Sequence, residues 1–162
     1  MTDQPSPSGE IAVPGVSTDA LVPQGTVSPQ ILTILPPDWF YKESITILAP
    51  DGGANVIASS EPISRDLDTD SYARVQGDLL KKEFPGYLEL SFEPTELLGG
   101  PGWLRVFEWN PPDGSPVSQM QVYGVKDGRG FTATATTTLD RYGDFEIVFR
   151  DVLQGLSLRR SQ

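Results

Sequence analysis

Hydrophobic and polar positions alternate most clearly between Trp103 and Thr138. The runs WLRVFEW, VSQMQVYGV and FTATATTT are rich in β-branched and aromatic residues. Two turns separate them, each containing Asp-Gly, at Asp113-Gly114 and Asp127-Gly128. Asp-Gly between such runs is a strong hairpin signal, because glycine tolerates positive φ. The pattern predicts a three-stranded antiparallel meander. Trp103, Arg105, Phe107 and Trp109 fall on one face of its first strand, Leu104 and Val106 on the other. Apolar groups on both faces predict a central strand covered from both sides. In the last strand Ala133 and Ala135 alternate with Thr132, Thr134 and Thr136, and the small alanines leave room for a helix.

Upstream, Ile31–Leu35 reads as a short strand ended by Pro36-Pro37. Trp39 then reads as a cap on the core. Ser44–Leu48 and Ala54–Glu61 read as strands joined through Pro50-Asp51-Gly52-Gly53. Asp66–Asp70 offers N-caps for a helix over about 69–84, with Tyr72, Val75, Leu79 and Leu80 at helical spacing. Pro85-Gly86 stops it. Tyr87–Leu97 alternates Leu88, Leu90 and Phe92 with polar neighbours, and Gly99–Gly102 reads as the turn into the meander. After Thr138, Asp140 can cap a second helix striped by Phe145, Val148, Phe149, Val152 and Leu156. The order is β-β-β-α-β-β-β-β-α. The fold class is α+β, a twisted antiparallel sheet with helices packed on it.

Residues 1–29 interrupt this patterning. They are rich in Pro, Ser, Gly and Thr, and Asp3, Glu10 and Asp19 are their only charged side chains. Such a segment buries too little apolar surface to offset its chain entropy. It is expected to be a disordered or loosely docked arm, with the domain spanning residues 30–162.

The formal net charge is −10, from 22 acidic and 12 basic residues. That opposes nucleic-acid binding, which rests on Lys and Arg neutralising phosphates, and docking on an anionic membrane. MTDQPSPSGE has neither a basic nor an apolar leader region, and no run approaches a membrane helix in length. These features favour a cytoplasmic location and no membrane insertion. The absence of both Cys and His removes thiolate chemistry, the usual general base near neutral pH and the commonest zinc ligand. This counts against an enzyme, and no metal or cofactor is expected. Gly99–Gly102 lacks the Lys-Ser/Thr of a phosphate loop and precedes a strand. Asp66, Asp68 and Asp70 have the alternate spacing of a calcium loop. Ser71 and Gly77 stand where that loop needs Gly and Glu, so capping and solvation remain. Glu89, Glu93, Glu96 and Glu108 read as solvated sheet positions, and the Thr row as a β-favouring strand face.

Ile45 and Ile47 share one face of their strand, so both can meet one partner helix. Apolar residues on both faces of several strands imply more covering surface than two helices supply. Either a partner covers one face or the chain dimerises.

Several motifs occur in order: P-P-D-W, E-S-I-T-I-L, N-V-I-A-S-S-E-P, Y-A-R-V-Q-G-D-L-L, F-P-G-Y, L-R-V-F-E-W, V-S-Q-M-Q-V-Y and F-T-A-T-A-T-T-T. Across Ile31–Leu158 this resembles the DUF1795 family, related to DcrB and to the Mog1/PsbP-like α/β/α sandwich. It looks most like the Eag group of effector-associated chaperones in bacterial type VI secretion. The resemblance implies a homodimeric cytosolic chaperone that holds the N-terminal transmembrane helices of an effector on an apolar surface of sheet and long helix. The matching positions are Ile45, Ile47, Ile57, Leu80, Phe84 and Val117. The arm of residues 1–29 departs from the family pattern. A Mog1/PsbP-like module binding a soluble partner through acidic surface is the other reading.

Overall fold

The structure, a computed structural model, describes residues 35–157. The expected strand at Ile31–Leu35 and the arm at residues 1–29 lie outside the described residues, apart from Leu35. The remaining elements follow the expected order. They are β1 (Glu43–Leu48), β2 (Ala54–Pro62), α1 (Thr69–Glu83), β3 (Leu88–Leu97), β4 (Gly100–Trp109), β5 (Val117–Lys126), β6 (Arg129–Thr138) and α2 (Tyr142–Gln154). The strands form one antiparallel sheet in the order β1-β2-β6-β5-β4-β3. α1 lies across β4 and β5, and α2 lies across β5 and β6. One helix therefore packs on each face, in the expected α+β sandwich. The strand read as central, β4, is interior but second from the edge; β6 and β5 hold the middle.

Local chemistry explains most boundaries. Asp127 and Gly128 both adopt positive φ (52° and 74°), which matches a two-residue hairpin turn to the strand twist. Gly114 is not among the positive-φ residues, so its Asp-Gly pair turns the chain differently. β3 and β4 also join through two left-handed residues, Leu98 (56°) and Gly99 (75°). The turn is thus shorter than the Gly99–Gly102 expected from glycine content, and Gly100–Gly102 pair within β4. A leucine in that conformation costs about 1–2 kcal/mol. The Leu98 side chain packs against the core cluster, which offsets the cost.

The two faces differ in chemistry. On the α2 face, Ile47, Val56, Ala135, Met120 and Val106 lie side by side across five strands. Ile45, Ala58, Ala133, Val122 and Leu104 form the parallel row. Phe149 and Leu153 of α2 complete this core, and Ala133 and Ala135 lie buried beneath it. The α2 stripe differs from the expected one. Leu153 is fully buried, whereas Val148 is exposed. Asp140 lies in a single 3-10 turn, Leu139–Arg141, and makes no capping bond; Arg141 takes the N-cap position.

Three further expectations change. Trp39 is 70% exposed and caps nothing in the described core. In α1 the buried residues are Tyr72, Ala73, Gly77 and Leu80, while Val75 and Leu79 face solvent. Small residues face the sheet because the helix sits close to it. In β3 a register shift between Glu89 and Ser91 puts Leu88 and Phe92 on opposite faces. An irregularity of this kind switches the side-chain alternation that the sequence extends unbroken.

Phe107 is fully buried on the α1 face, against Phe84 and Tyr87. Phe107→Ala should cost about 3–5 kcal/mol in chemical denaturation, as expected for truncating a buried aromatic. A second expectation concerns pH. Asp68 caps α1 by accepting from the Ser71 amide at 2.8 Å, which holds its carboxyl below the usual value of 3.8. A lowered folded pKa contributes stability that is present above the unfolded value and lost as pH falls through the folded one. Thermal melts should therefore show an acid-side loss that Asp68→Asn reduces, because Asn keeps a capping oxygen without the titration.

Candidate functional site: an open trough between helix and sheet

β4 places one cation inside the fold. Arg105 is 3% exposed and lies under α1. Its Nε donates to Glu89 Oε2 at 3.0 Å. Its Nη1 and Nη2 donate to the Ala73 carbonyl at 3.3 and 3.2 Å, and Nη1 also donates to the Tyr123 hydroxyl at 2.6 Å. The guanidinium stacks on Phe92, 4.3 Å from the ring centre. A buried charge survives only when paired and hydrogen-bonded, and these contacts meet that condition. The Ala73 contacts draw a main-chain carbonyl of α1 toward the sheet. A Cβ on Gly77 would come within 2.4 Å of Arg105 Nη2, so only glycine lets the helix settle there. At the other end of α1, Tyr72 lies over Gly130 and shares a 2.9 Å hydrogen bond with Thr132.

Fixed over β4 and β5, α1 leaves the β6-β2-β1 half of the same face uncovered. The result is an open trough of about 460 Å³. Its wall is Tyr72, Gln76, Leu80 and Phe84 of α1. Its floor is a polar lattice. Gln121 Nε2 donates to Thr134 Oγ1 and Gln119 Nε2 to Thr136 Oγ1, each at 2.7 Å. Trp109 Nε1 donates to Gln119 Oε1 at 2.9 Å, and the Tyr123 hydroxyl donates to Gln121 Oε1. Burial pushes the Tyr123 phenol well above its ordinary pKa, against the pull of Arg105, so it stays a neutral donor. Ile57, 44% exposed, breaks the lattice with an apolar side chain. Such a surface can hold a ligand by apolar contact and hydroxyl hydrogen bonds. At its β1 end the lining also includes the ion pair Lys42–Glu61, and no group of metal-ligating side chains occurs among the described residues.

The six residues implied by the resemblance divide between two surfaces. Ile57, Leu80 and Phe84 line the trough together. Val117 shares that sheet face but pairs with Trp109 and Thr138 outside the trough. Ile45 and Ile47 do not join them. They pair with Ala58 and Val56 on the opposite, α2 face, and Ile47 packs against the core there. The single grip expected of all six is thus geometrically split, because Ile57 lies opposite Thr46, one residue out of phase with both isoleucines. Gln119 and Gln121 were not singled out from sequence. Their signal was present: polar residues alternating with Met120 and Val122 in a strand otherwise patterned for burial.

Three of the candidate carboxylates have ionic partners nearby. Glu89 holds Arg105 and accepts from the Tyr87 hydroxyl at 3.0 Å, and Glu93 meets Arg150 of α2 at 3.5 Å. Asp70 pairs with Arg74 one turn on, at 2.9 Å.

The DcrB family profile matches residues 32–144. Among solved structures, the chain is similar to PA94 of Pseudomonas aeruginosa, a protein of unknown function. The two share 20% identity with a TM-score of 0.69, over 78% of this chain and 90% of that one. It is less similar to the cyanobacterial PsbP of Synechocystis, at 13% identity and TM-score 0.48, over 67% of this chain and 78% of that one. LpqN of Mycobacterium tuberculosis, involved in cell envelope biogenesis, stands at 18% and 0.46, over 67% and 64%. Among curated proteins, none matches the chain in sequence.

The close approach of α1 yields a test whose sign is informative. On helix propensity alone, Gly77→Ala should stabilise by about 1 kcal/mol. The contact with a pinned Arg105 predicts net destabilisation instead. Arg105→Ala should cost about 1.5–3 kcal/mol, the usual range for losing hydrogen bonds to a charged group. If Gly77→Ala raises the melting temperature, Arg105 does not hold the helix as described.

Proposed function

The chain belongs to the DcrB family, and from that premise we propose that it is a non-enzymatic cytoplasmic chaperone or adaptor. Its client in this reading is a secreted effector with an apolar N-terminal helix, as in the Eag group of type VI secretion. The observation that carries the reading is the trough. α1 stops short of half the sheet and leaves Ile57, Leu80 and Phe84 facing one another across an accessible channel. An α-helix is about 10–12 Å across, too wide to sink into this volume whole. A client helix would lie along the trough and lower one row of side chains into it. Each apolar side chain so covered would contribute about 25 cal/mol per Å² removed from water. The polar floor suits the task, because its Gln and Thr groups satisfy one another and need not be desolvated unpaired. Among the described residues no helix is long and apolar enough to cross a membrane. In this reading the membrane-seeking segment belongs to the client.

Ile57→Asp tests the reading directly. Ile57 is exposed in the free protein, so the melting temperature should stay within a few degrees of the parent. Losing its coverage, worth roughly 1.5–3 kcal/mol, should weaken client binding about 10- to 100-fold. Co-purification with an effector carrying N-terminal transmembrane helices would measure this. Ile47→Ser is the contrasting control. It sits against the α2 core and should lower stability first, with any binding loss following from unfolding. Undiminished capture by a folded Ile57→Asp protein would remove the trough as the client surface, and failure of the parent to capture such an effector would favour a soluble partner held by the acidic surface.

A further inference from the structure

Most exposed positions on α1 carry charge: Arg74, Asp78, Lys81, Lys82 and Glu83. The other two are apolar, Val75 at 47% exposed and Leu79 at 44%. They stand about one turn apart, so both lie on one side of the helix. Its neighbours fix which side that is. Arg74 reaches over Phe92 and Trp103, and Gly77 lies against Arg105, so that flank faces β3 and β4. Tyr72, Gln76, Leu80 and Phe84 form the opposite flank, the wall of the trough. Val75 and Leu79 follow Tyr72 and Gln76 by three residues each. That places them about 60° further round the helix, above the wall and away from the sheet.

Two ridges of residues spaced four apart therefore run along the trough side of α1. Tyr72, Gln76, Leu80 and Phe84 make the lower one; Val75, Leu79 and Glu83 make the upper one. Helices that pack side by side lay a ridge of one into such a groove of the other, with axes about 8–10 Å apart. We propose that the groove between these ridges is a second client contact, and that it makes the site select a helix apolar around about half its circumference.

This inference rests on the reading of the trough as the client site. A helix about 10–12 Å across that lowers one row of side chains toward Ile57 keeps its flank level with α1. The floor then meets the client from below, and Val75, Leu79 and Leu80 meet it from the side. Two adjoining rows of the client must be apolar to satisfy both. An amphipathic helix offers a single stripe about 100° wide and fills one of them. Its polar face would then lie against Leu79 and Leu80, where burial leaves polar groups without partners. A helix that is apolar all round, as a membrane span is, fills both.

The test presents two helices of about 20 residues, each fused to the N-terminus of a soluble carrier and co-expressed with the full chain. One is apolar all round; the other keeps a single apolar stripe and is polar elsewhere. The parent should retain the first at least about tenfold better. Val75→Gln combined with Leu79→Gln should lower retention of the all-round helix about tenfold and leave that of the single-stripe helix unchanged. Gln is a good helix former, so the circular dichroism spectrum and melting temperature should match the parent's. Ile147→Gln with Val148→Gln removes the exposed apolar pair of α2 and should change neither retention. Equal retention of both helices by the parent overturns the proposal, as does full retention of the all-round helix by the folded α1 variant. An equal loss from the α2 pair also overturns it, because it marks nonspecific adhesion. Ile57→Asp reads the trough itself. If it abolishes capture while the α1 variant is indifferent, only the second contact fails. A parent that retains neither helix sinks the chaperone reading, and this inference with it.

Discussion

The buried guanidinium of Arg105 is the constraint on which the rest of the molecule depends. A charge taken out of water must be surrounded by acceptors or abandoned, and the fold surrounds it. Glu89 from the neighbouring strand, the Ala73 carbonyl from α1 and the Tyr123 hydroxyl from β5 converge on one group. Each contact ties a different element to β4. The Ala73 contacts matter most, because they set how near α1 lies to the sheet and over which strands. Gly77 is the steric counterpart of this contact. A helix pinned over β4 and β5 cannot also cover β1 and β2, so the trough is a geometric consequence of where the charge is buried.

The two sheet faces then take different tasks. Facing α2, small and branched apolar side chains run in unbroken rows beneath Phe149 and Leu153. This face supplies most of the hydrophobic stabilisation and gains from tight packing. Facing α1, hydroxyls, amides and aromatics interlock through directed bonds. Directed bonds hold a surface in shape without a covering layer, which lets that half of the sheet stay open. The open face is therefore compatible with a stable domain, and a visiting apolar helix would meet a floor already satisfied.

Edge chemistry follows the same economy. Pro94, the β3 irregularity and the acids Glu89, Glu93 and Glu96 guard one side of the sheet, whereas β1 itself carries neither a proline nor a register shift. The exposed aromatics at residues 39–41 immediately precede β1, with the Arg129 guanidinium 4.2 Å from the centre of the Tyr41 ring. Exposed apolar side chains occur on that side at Leu48, and also at Leu88 and Leu90 on β3, Val75 and Leu79 on α1, and Ile147 and Val148 on α2.

Periodicity and turn chemistry alone determined the antiparallel α+β class, both helices and six of the strands. Those signals are local: two-residue alternation, Asp-Gly, Pro-Gly and an acidic N-cap act within a few residues of where they stand. The alanines of β6 announced a close helix for the same reason. Boundaries failed where a distant contact overrode the local rule. Leu98 accepts a left-handed turn because its side chain packs on the core. Val75 and Leu79 yield the inner face of α1 to Ala73 and Gly77 because a buried arginine draws the helix down. The trough was only half legible. Ile57, Leu80 and Phe84 could be marked as a set, but Ile45 and Ile47 were grouped with them although strand pairing puts them on the opposite face. Sequence reports which residues within one strand share a face. Only tertiary structure decides which faces of different strands and helices meet, because that depends on register between distant segments and on where a buried charge finds its partners.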